Sequence, residues 1–430
     1  MVEGVRERRR AVRQPIPPPS AWAGERDAAA LAQGRSRPAW AEIDLAAITH
    51  NAGVLARLVH PARLCAVVKA HGYGHGGPAV AKAAQAGGAS GLAVALVDEG
   101  MELRQYGVHG PILLLSECST DAVETVVAHG LRATLYSTGA IEHFGRAAAK
   151  LGHEIPVHIK VDTGMHRVGA PPDEIPALVR AVSDDPLLRV EGLWTHLPVA
   201  DGESADDRAF TLGQLAAFDD VVAALARTLG AAPDVLHAAN TAGAIAFPTA
   251  RYGMVRCGIG LYGYLPGPAV RTAFDAASGG EALRPALSLR ARVVSVRTLE
   301  AGERPSYGRL RPLSHRGVVA TVPIGYADGV PRALFSHGAS VLIGGHRRPL
   351  AGMVTMDQIV VDCGEDGSVA PGDEVVLLGR QGDEEITADE WAALLGTISY
   401  EVLCGIGPRV PRIMVNPPGP DAGNGTPPTH

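Results

Sequence analysis

A lysine at the end of an apolar run is the first residue whose position suggests chemistry. Lys69 follows Leu64–Val68 and precedes a glycine-rich turn over Ala70–Gly76. A lysine that closes a buried strand is costly unless its amine is neutral, paired or covalently used. Taken alone, the motif fits a surface lysine before a loop equally well.

A second run carries three polar residues at alternating positions. In Pro156–Asp162, the period of a β-strand places His158, Lys160 and Asp162 on one face. Three polar groups on one strand face suit a functional site. The alternative is a hydrogen-bonded polar layer inside the protein.

Later apolar runs also end in residues that could bind an anion. His196 ends one run, Thr241 directly follows the next, and Arg256 lies in the last, shortly before Gly258 and Ile259. A phosphate-bearing cofactor would suit the Thr241 hydroxyl and the two backbone amides. For Arg256, the alternative is a charge on the surface or on the phosphate side.

The elements that must position these residues alternate between strands and helices. Eight short apolar runs are separated mostly by segments with helical spacing, such as Thr120–His129 and Leu212–Leu229. Eight β/α units predict an α/β fold built on a (β/α)8 barrel of the TIM type, whose strand ends would gather the site. The runs are Leu64–Lys69, Ser90–Leu96, Pro111–Ser116, Arg132–Ser137, Pro156–Asp162, Arg189–His196, Asp234–Asn240 and Met254–Leu261.

After Ala282 the rhythm changes, which predicts a mostly-β second domain. Strand-like segments there follow one another with turns. One helix is predicted to begin at Thr387, where Glu390 gives the spacing of a capping box. The strand-like segments are Ser288–Leu299, Gly317–Ile324, Ser340–Ile343, Gln358–Asp362 and Asp373–Leu378.

These patterns predict four regions. The barrel spans 38–281 and the C-terminal β-domain spans 282–415, although the first strand, 39–45, could join the β-domain. Residues 1–37, which are rich in arginine and proline, and residues 416–430 are predicted to be disordered tails.

Composition narrows the classes of function. The 430-residue chain has a net charge of −6, which gives no reason to expect a nucleic-acid partner. No apolar run approaches the roughly 18–20 residues of a membrane span, and no apolar region follows the N-terminal arginines as it would in a secretory signal. The five cysteines lack C-x-x-C spacing, so we expect reduced thiols and a cytoplasmic protein without a metal site.

Nearly the whole chain resembles the alanine racemase family. Lys69–Gly76 is similar to the lysine motif with which these enzymes bind pyridoxal 5′-phosphate (PLP), and the resemblance extends from Arg37 to about Arg412. It implies a PLP-binding barrel followed by a β-domain. Further motifs in the order of the family are Lys160–Gly169, Arg256–Gly263, Ser306–Gly308, Ile324–Gly329 and Thr355–Gln358.

The resemblance implies interconversion of L-alanine and D-alanine, which would supply D-alanine for peptidoglycan. Lys69 would carry PLP as an imine and serve as one base. Tyr307 of the partner subunit would serve as the other, so the active form would be a homodimer with shared active sites. One base on each face is the minimal design for inverting a centre in both directions. PLP would be held by Tyr73, Thr241, Gly258 and Ile259 at the phosphate, His196 against the ring and Arg256 at the pyridine nitrogen.

The same resemblance implies how the amino-acid substrate is held. Arg167 and the Met356 amide would bind the substrate carboxylate beside Asp357, and Tyr326 would line the entrance. Lys160 would be carbamylated, or would share a chloride ion with Arg167, since either state neutralises a crowd of positive charges. No metal ion is expected.

Two positions depart from the common family pattern. His71-Gly72 stands where members often have Asn-Ala. Pro408 stands where a tyrosine often contacts the phosphate and narrows the entrance. Proline has no hydroxyl, so this departure predicts weaker PLP retention and some activity on serine.

Three alternatives remain open at this point. A racemase of broader range, acting for example on serine, would share every motif. A barrel-type PLP decarboxylase would present a cysteine motif from its second domain, which Cys257, Cys363 and Cys404 do not match. A non-catalytic PLP-binding protein would be a lone barrel, and the segment 282–412 argues against it.

Overall fold

The computed structural model describes residues 37–230 and 232–417. The predicted tails, 1–37 and 416–430, lie outside the described residues except for Arg37, Asn416 and Pro417.

Eight parallel strands form a barrel. Strand β1 (Ala39–Asp44) precedes it, and its own strands are β2 (Arg63–Val67), β3 (Gly91–Val94), β4 (Ile112–Leu114), β5 (Ala133–Leu135), β6 (Ile155–Lys160), β7 (Leu188–Trp194), β8 (Val235–His237) and β9 (Met254–Cys257). They pair in the orders β4-β3-β2-β9 and β5-β6-β7-β8. A bridge between Leu113 and Arg132 joins β4 to β5. The Arg256 N–H donates to the Ala239 carbonyl at 2.9 Å and closes the ring between β8 and β9. The predicted α/β fold with a (β/α)8 barrel is confirmed.

Helices surround the barrel, and several begin at a side-chain cap. They are α1 (Leu45–Val59), α2 (Gly77–Ala86), α3 (Val97–Gln105), α4 (Val123–Ala128), α5 (Thr138–Leu151), α6 (Ile175–Ser183), α7 (Ala205–Leu229), α8 (Thr241–Ala246) and α9 (Pro268–Ala277). Asp44, Ser137 and Asn240 accept backbone hydrogen bonds in the first turns of α1, α5 and α8. Such caps satisfy N–H groups that have no partner within the helix.

Helix α7 is longer than the predicted Leu212–Leu229. It begins upstream because Ser204 and Asp207 form a capping box ahead of its apolar part. By length and composition the part of α7 within Ala205–Arg227 could cross a membrane, since an 18-residue stretch of it has a mean hydropathy of 1.4. A helix packed on a protein core meets the same criterion, and α7 buries side chains such as Phe218 and Leu225.

The described part of the C-terminal domain is mostly β. Its elements are β10 (Leu287–Arg292), β11 (Ser295–Leu299), β12 (Gly317–Val322), β13 (Ser340–Ile343), β14 (His346–Pro349), β15 (Ile359–Gly364), β16 (Glu374–Gln381), β17 (Glu384–Ile386), α10 (Ala388–Leu395), α11 (Ser399–Cys404) and β18 (Arg412–Val415). The larger sheet has the order β14-β13-β16-β10-β1-β18, with β17 beside β16, and the smaller has the order β11-β12-β15. The predicted mostly-β C-terminal domain is thus confirmed.

The predicted strand Ser288–Leu299 is in fact two strands, β10 and β11. The chain changes sheets between them, because the Val293 N–H donates to Asp373 beside β16 and the Val294 N–H donates to Thr321 in β12, both at 2.9 Å. Strands β14, β17 and β18 and helix α11 were not predicted, since they are too short to show a period.

Strand β1 lies in the interior of the larger sheet. It is antiparallel to β10 and parallel to β18. Arg290 of β10 pairs with Glu42 of β1 at 2.8 Å and with Glu374 of β16 at 2.6 Å. The described chain therefore starts in the β-domain, enters the barrel and returns.

Asn51 is a fully buried polar side chain on α1. Its Nδ2 donates to the carbonyls of Leu261 and Arg284 at 2.9 and 2.8 Å, and its Oδ1 accepts from the Arg284 N–H at 2.8 Å. The amide thus ties α1 to the end of the barrel and to the segment that leads into β10.

We expect Asn51→Leu to lower the free energy of unfolding by about 3 kcal/mol or more, because two carbonyls and one N–H would be buried without partners. Urea unfolding measures this change. As a control, Gln85→Leu removes an amide that donates to one carbonyl, that of His109, and should cost about 1 kcal/mol. Equal losses in the two variants would contradict the role assigned to Asn51.

Candidate active site

A cavity of about 1080 Å³ opens where the barrel strands end. Eight residues that the sequence singled out lie around it, so folding brings them together from the ends of β2, β6, β7, β8 and β9 and the loops that follow. These residues are Lys69, Tyr73, Arg167, His196, Thr241, Arg256, Gly258 and Ile259.

The chain turns sharply after Lys69. Residues Ala70–Tyr73 all have positive φ angles, between 51° and 63°. This left-handed conformation is costly for residues that carry a Cβ. The Glu99 carboxylate supports the turn by accepting a hydrogen bond from the Ala70 N–H at 2.6 Å. The turn places the Lys69 amine and the Tyr73 ring on the same cavity.

One end of the cavity has the features of a phosphate site. A Cβ on Gly258 would lie 2.3 Å from the Tyr73 hydroxyl, so only glycine leaves room there. The Thr241 hydroxyl accepts a hydrogen bond from the Gly258 N–H at 3.0 Å. The Tyr73 ring stacks on Tyr262, with ring centroids 4.6 Å apart, and lies 6.0 Å from the Tyr400 ring. Hydroxyl groups around a bare glycine backbone form a cradle that fits a phosphate group.

Tyr400, and not the position of Pro408, brings a phenol to this end of the cavity. Helix α11 carries Tyr400 into the cavity wall, whereas Pro408 is not among the lining residues. The structure therefore corrects the prediction that Pro408 removes a tyrosine from the phosphate site. The weaker PLP retention inferred from Pro408 loses its basis.

Arg256 is buried inside the barrel rather than on its surface. Its guanidinium lies 2.7 Å from His237 Nδ1 and 3.2 Å from His196 Nδ1, and it donates to the carbonyls of Thr195 and Ala238 at 2.7 and 2.9 Å. Among the described residues no carboxylate lies within 4.0 Å of it. Burial lowers the pKa of Arg256 to about 10, so the group stays charged at neutral pH.

Other cations crowd the same cavity. Burial, followed by the charge of Arg167, lowers the pKa of Lys69. Burial, followed by Arg167 and Arg256, lowers the pKa of Lys160 to about 8. The Lys160 amine lies 4.5 Å from the centroid of the Trp194 ring. This excess of positive charge favours ligands that carry phosphate or carboxylate groups.

The polar face predicted for β6 contains two residues rather than three. His158 and Lys160 are buried on the strand, which ends at Lys160. Asp162 lies beyond that end, where its carboxylate accepts from the Gly164 and His166 N–H groups at 3.0 and 3.1 Å. Asp162 therefore shapes the loop that leads to Arg167.

The remaining predicted residues lie on the surface of the β-domain, outside the cavity of their own chain. Tyr307 is 72 % exposed, Met356 51 % and Tyr326 43 %, and Leu310 is also exposed. We call these four residues the β-domain patch. Asp357, next to the patch, pairs with Arg409 at 2.6 Å. An exposed apolar group of this kind is typical of a surface that another protein covers.

Sequence reasoning missed three residues that support the site. Glu99 holds the turn after Lys69, and His237 and Glu191 belong to a hydrogen-bonded chain behind Arg256. Glu99 stands in the first turn of α3, where an acidic residue reads as a helix cap. His237 and Glu191 lie within strands, and no local pattern reveals their partners.

The fold and the site define a class of enzyme: a barrel with a β-domain, in which a lysine, a phosphate cradle and a buried arginine share one cavity. The family model described as alanine racemase, N-terminal domain, matches residues 43–266, and that described as alanine racemase, C-terminal domain, matches residues 286–414. The chain belongs to the alanine racemase family, whose members are isomerases. Enzymes of this family depend on PLP and act as homodimers on small amino acids.

Individual relatives agree with this assignment. The alanine racemase of Symbiobacterium thermophilum is 46% identical over 376 residues, which cover 87% of this chain and 97% of that protein. The crystal structure of alanine racemase from Streptomyces lavendulae is similar with a TM-score of 0.80 at 35% identity, covering 91% of this chain and 100% of that one. The structure of a histidine racemase from Leuconostoc mesenteroides is similar with a TM-score of 0.77 at 28% identity, covering 88% and 98%. Both domains match the racemase family. The comparisons therefore do not support the barrel-type PLP decarboxylase or the non-catalytic lone barrel.

Three buried histidines and the half-buried His196 are neutral in the folded protein. Burial lowers the pKa of His75 to about 4 and also lowers the pKa of His158, and burial together with Arg256 holds the pKa values of His196 and His237 well below the usual range. Because each folded pKa lies below that of the unfolded chain, the stabilisation is present above about pH 6.5 and is lost as the pH falls.

We expect the free energy of unfolding to fall steeply between pH 6.5 and 4, by about 1.4 kcal/mol per pH unit for each histidine that stays neutral when folded. The His75 ring donates to the Tyr73 carbonyl at 2.9 Å, and asparagine can keep that bond. Urea unfolding of His75→Asn at pH 7, 6 and 5 should show that the free energy of unfolding falls less steeply with falling pH, by the contribution of one histidine. The exposed control His153→Asn should keep the original slope, and an unchanged slope in His75→Asn would refute the assignment.

Proposed function

We propose that this protein interconverts L-alanine and D-alanine with PLP, using Lys69 and Tyr307 of a partner subunit as its two bases. The observation that carries the proposal is the single cavity that joins the Lys69 amine to the cradle of Tyr73, Thr241 and Gly258. An aldehyde and a phosphate on one small molecule would engage both ends.

The residues of the cavity fit PLP in chemistry as well as in position. Gly258, Ile259, Thr241 and Tyr73 would hold the phosphate, and His196 would pack on the pyridine ring. Arg256 does not readily give up its proton, so it would leave the pyridine nitrogen unprotonated. When bound, PLP would delocalise the negative charge left on Cα after its proton is removed.

The two bases would move the proton on opposite faces of Cα. Lys69 would accept or donate at Nζ, and burial together with the charge of Arg167 lowers its pKa, which favours the neutral form of the amine. The Tyr307 hydroxyl would hold the proton on the other face. Arg167 and the Met356 N–H would bind the substrate carboxylate, and Tyr326 would line the entrance.

The loops that would contact the substrate carboxylate are held by the β-domain itself. The N–H groups of Tyr326 and Ala327 donate to the carbonyls of Thr355 and Met356 at 2.9 and 3.1 Å. Asp357 pairs with Arg409, which also lies 3.3 Å from buried Asp328. We therefore assign Asp357 the role of fixing the Met356 loop beside the substrate.

Lys160 is proposed to be carbamylated. Its amine is buried, has a pKa of about 8 and has no carboxylate within 4.0 Å in the described ranges. A neutral amine can add carbon dioxide and release a proton to solvent, and the resulting carbamate would replace a cation by an anion beside Arg167. A chloride ion between Lys160 and Arg167 is the alternative that would relieve the same repulsion.

A homodimer with shared sites would explain the β-domain patch. Tyr307 is exposed and apart from the cavity of its own chain, although the proposed reaction needs a second base there. A symmetric pair of chains would let each patch cover the cavity of the other. We propose that this dimer works in the cytoplasm and supplies D-alanine for peptidoglycan.

A racemase of broader range remains the second candidate. The likeness to a histidine racemase means that this fold also serves a different amino acid in a related protein. Serine differs from alanine by one hydroxyl group, and apolar pockets discriminate weakly against an added hydroxyl. A chiral assay over small amino acids with added PLP separates the two candidates.

Borohydride reduction of the protein with PLP should fix the pyridoxyl group on the peptide that contains Lys69, as seen by mass spectrometry. Lys69→Arg should lose both the label and the visible absorbance of the bound cofactor. Lys150→Arg, a control at an exposed lysine, should keep both. A label on Lys160 or any other lysine would overturn the assignment.

Mixing inactive Lys69→Ala with inactive Tyr307→Phe should restore about a quarter of the wild-type activity after subunit exchange, because half of the dimers are hybrids with one intact site. The control mixes Lys69→Ala with a chain that carries both substitutions, in which no site is intact. No recovery in the first mixture, with exchange confirmed by mass, would rule out a shared site.

A further inference from the structure

Behind Arg256 the barrel holds a chain of hydrogen bonds that the proposed function does not use. Arg256 Nη1 lies 2.7 Å from His237 Nδ1, His237 Nε2 lies 2.9 Å from His158 Nδ1, and His158 Nε2 lies 3.1 Å from Glu191 Oε2. Both histidines are buried, and the Glu191 side chain is 20% exposed. We call these four residues the histidine chain.

The hydrogen bonds of the histidine chain run in one direction. Guanidinium has only donors, so His237 Nδ1 must accept from Arg256. A neutral His237 then carries its proton on Nε2 and donates to His158 Nδ1. His158 in turn carries its proton on Nε2 and donates to the Glu191 carboxylate. One tautomer of each histidine satisfies every contact.

The charges at the two ends agree with this direction. The pKa of Glu191 is held at about 2 by the hydrogen bond from His158 and by Arg132, so Glu191 is an anion at neutral pH. Arg132 and Arg189 lie 3.3 and 3.5 Å from its carboxylate oxygens. Burial lowers the pKa of His158 and of His237, so two neutral rings separate a buried cation from an anion.

Neighbouring residues shape the space that the His158 and His237 rings occupy. A Cβ on Gly192 would lie 2.3 Å from His158 Nδ1, so glycine is needed where the His158 ring lies across β7. The Trp194 ring stacks on His237, with centroids 5.6 Å apart and an angle of 9° between the planes. The Arg256 guanidinium also lies 4.5 Å from the Trp194 centroid.

We propose that Glu191 is a positioning residue, which sets the tautomers of His158 and His237 and thereby fixes the Arg256 guanidinium. The carboxylate only accepts hydrogen bonds, so it selects His158 with its proton on Nε2. Without the carboxylate, His158 can carry its proton on Nδ1 instead of Nε2 and donate to His237 Nε2. A neutral His237 would then carry its own proton on Nδ1, where it faces an Arg256 N–H. Two donors would then face each other and displace the guanidinium. The functional consequence rests on the proposed function, in which Arg256 faces the pyridine nitrogen.

The tautomers can be measured in the PLP-loaded protein by ¹⁵N NMR of histidine-labelled samples, with the His158 and His237 signals identified through His158→Asn and His237→Asn. Both rings should be protonated on Nε2 and unprotonated on Nδ1. Glu191→Gln should change the protonation pattern of at least one ring, because its amide can donate to His158. The matched control, Glu154→Gln, removes another carboxylate that pairs with Arg189 at 3.1 Å and should change neither ring. A proton on His237 Nδ1 in the wild type would overturn the proposal.

An unprotonated pyridine nitrogen makes PLP a weaker electron sink, so a well-placed Arg256 would suppress side reactions that need a long-lived carbanion, such as transamination. Displacement of Arg256 should therefore be visible in that side reaction. In transamination the amino group of alanine passes to PLP, which is reduced and leaves as pyridoxamine 5′-phosphate, while alanine is oxidised to pyruvate and gains the aldehyde oxygen by way of water. We expect Glu191→Gln to raise pyruvate released per racemisation event by about tenfold, a factor typical of a lost hydrogen bond to a charged group. Gly192→Ala, which displaces the His158 ring while keeping Glu191, should act in the same direction.

Equal pyruvate ratios in the wild type, Glu191→Gln and Gly192→Ala would show that the histidine chain does not position Arg256. Failure of the proposed function looks different: the wild type would then form no D-alanine, while the NMR measurement would still report whether Glu191 sets the two tautomers.

Discussion

The constraint on which the rest of the site depends is the burial of the Arg256 guanidinium inside the barrel. A charge taken out of water is costly unless hydrogen bonds and an opposite charge compensate it. Here two carbonyls and two imidazoles surround the cation, and the nearest anion in its hydrogen-bonded network is Glu191, two rings away. A direct carboxylate partner would cancel the positive charge at the cavity. The actual arrangement keeps that charge facing the ligand.

The need to compensate positive charge also applies to the other cations around the cavity. Lys69, Arg167, Arg256 and an unmodified Lys160 would repel one another, and burial, followed by this repulsion, lowers the pKa values of both lysines. A ligand with a phosphate and a carboxylate relieves this repulsion when it binds. The site therefore favours ligands that together carry a phosphate and a carboxylate, and their binding adds to the stability of the folded protein.

The sequence predicted the regular parts of the molecule and the residues that contact ligands. Each barrel strand shows as an apolar run, and several runs end at or next to residues that the site uses, such as Lys69 and Thr241. The sequence could not predict contacts between distant strands: His237 meets His158 across 79 positions, and Tyr400 reaches the cavity from a six-residue helix. The left-handed turn after Lys69 also escaped prediction, because Ala70 and His71 have no preference for positive φ. Tertiary contacts, including the Glu99 carboxylate, impose it.

The place of β1 within the larger sheet has a consequence for how the chain is made. On the ribosome β1 emerges before the other described strands, but its antiparallel partner β10 follows roughly 240 residues later, and β18 is nearly the last described segment. At about 5–20 residues per second this delay amounts to roughly 12–50 seconds of synthesis. During that time an apolar strand with unpaired backbone groups stays attached to a barrel that is still being completed. Nascent chains of this protein should therefore be bound by chaperones that recognise extended apolar segments until translation ends.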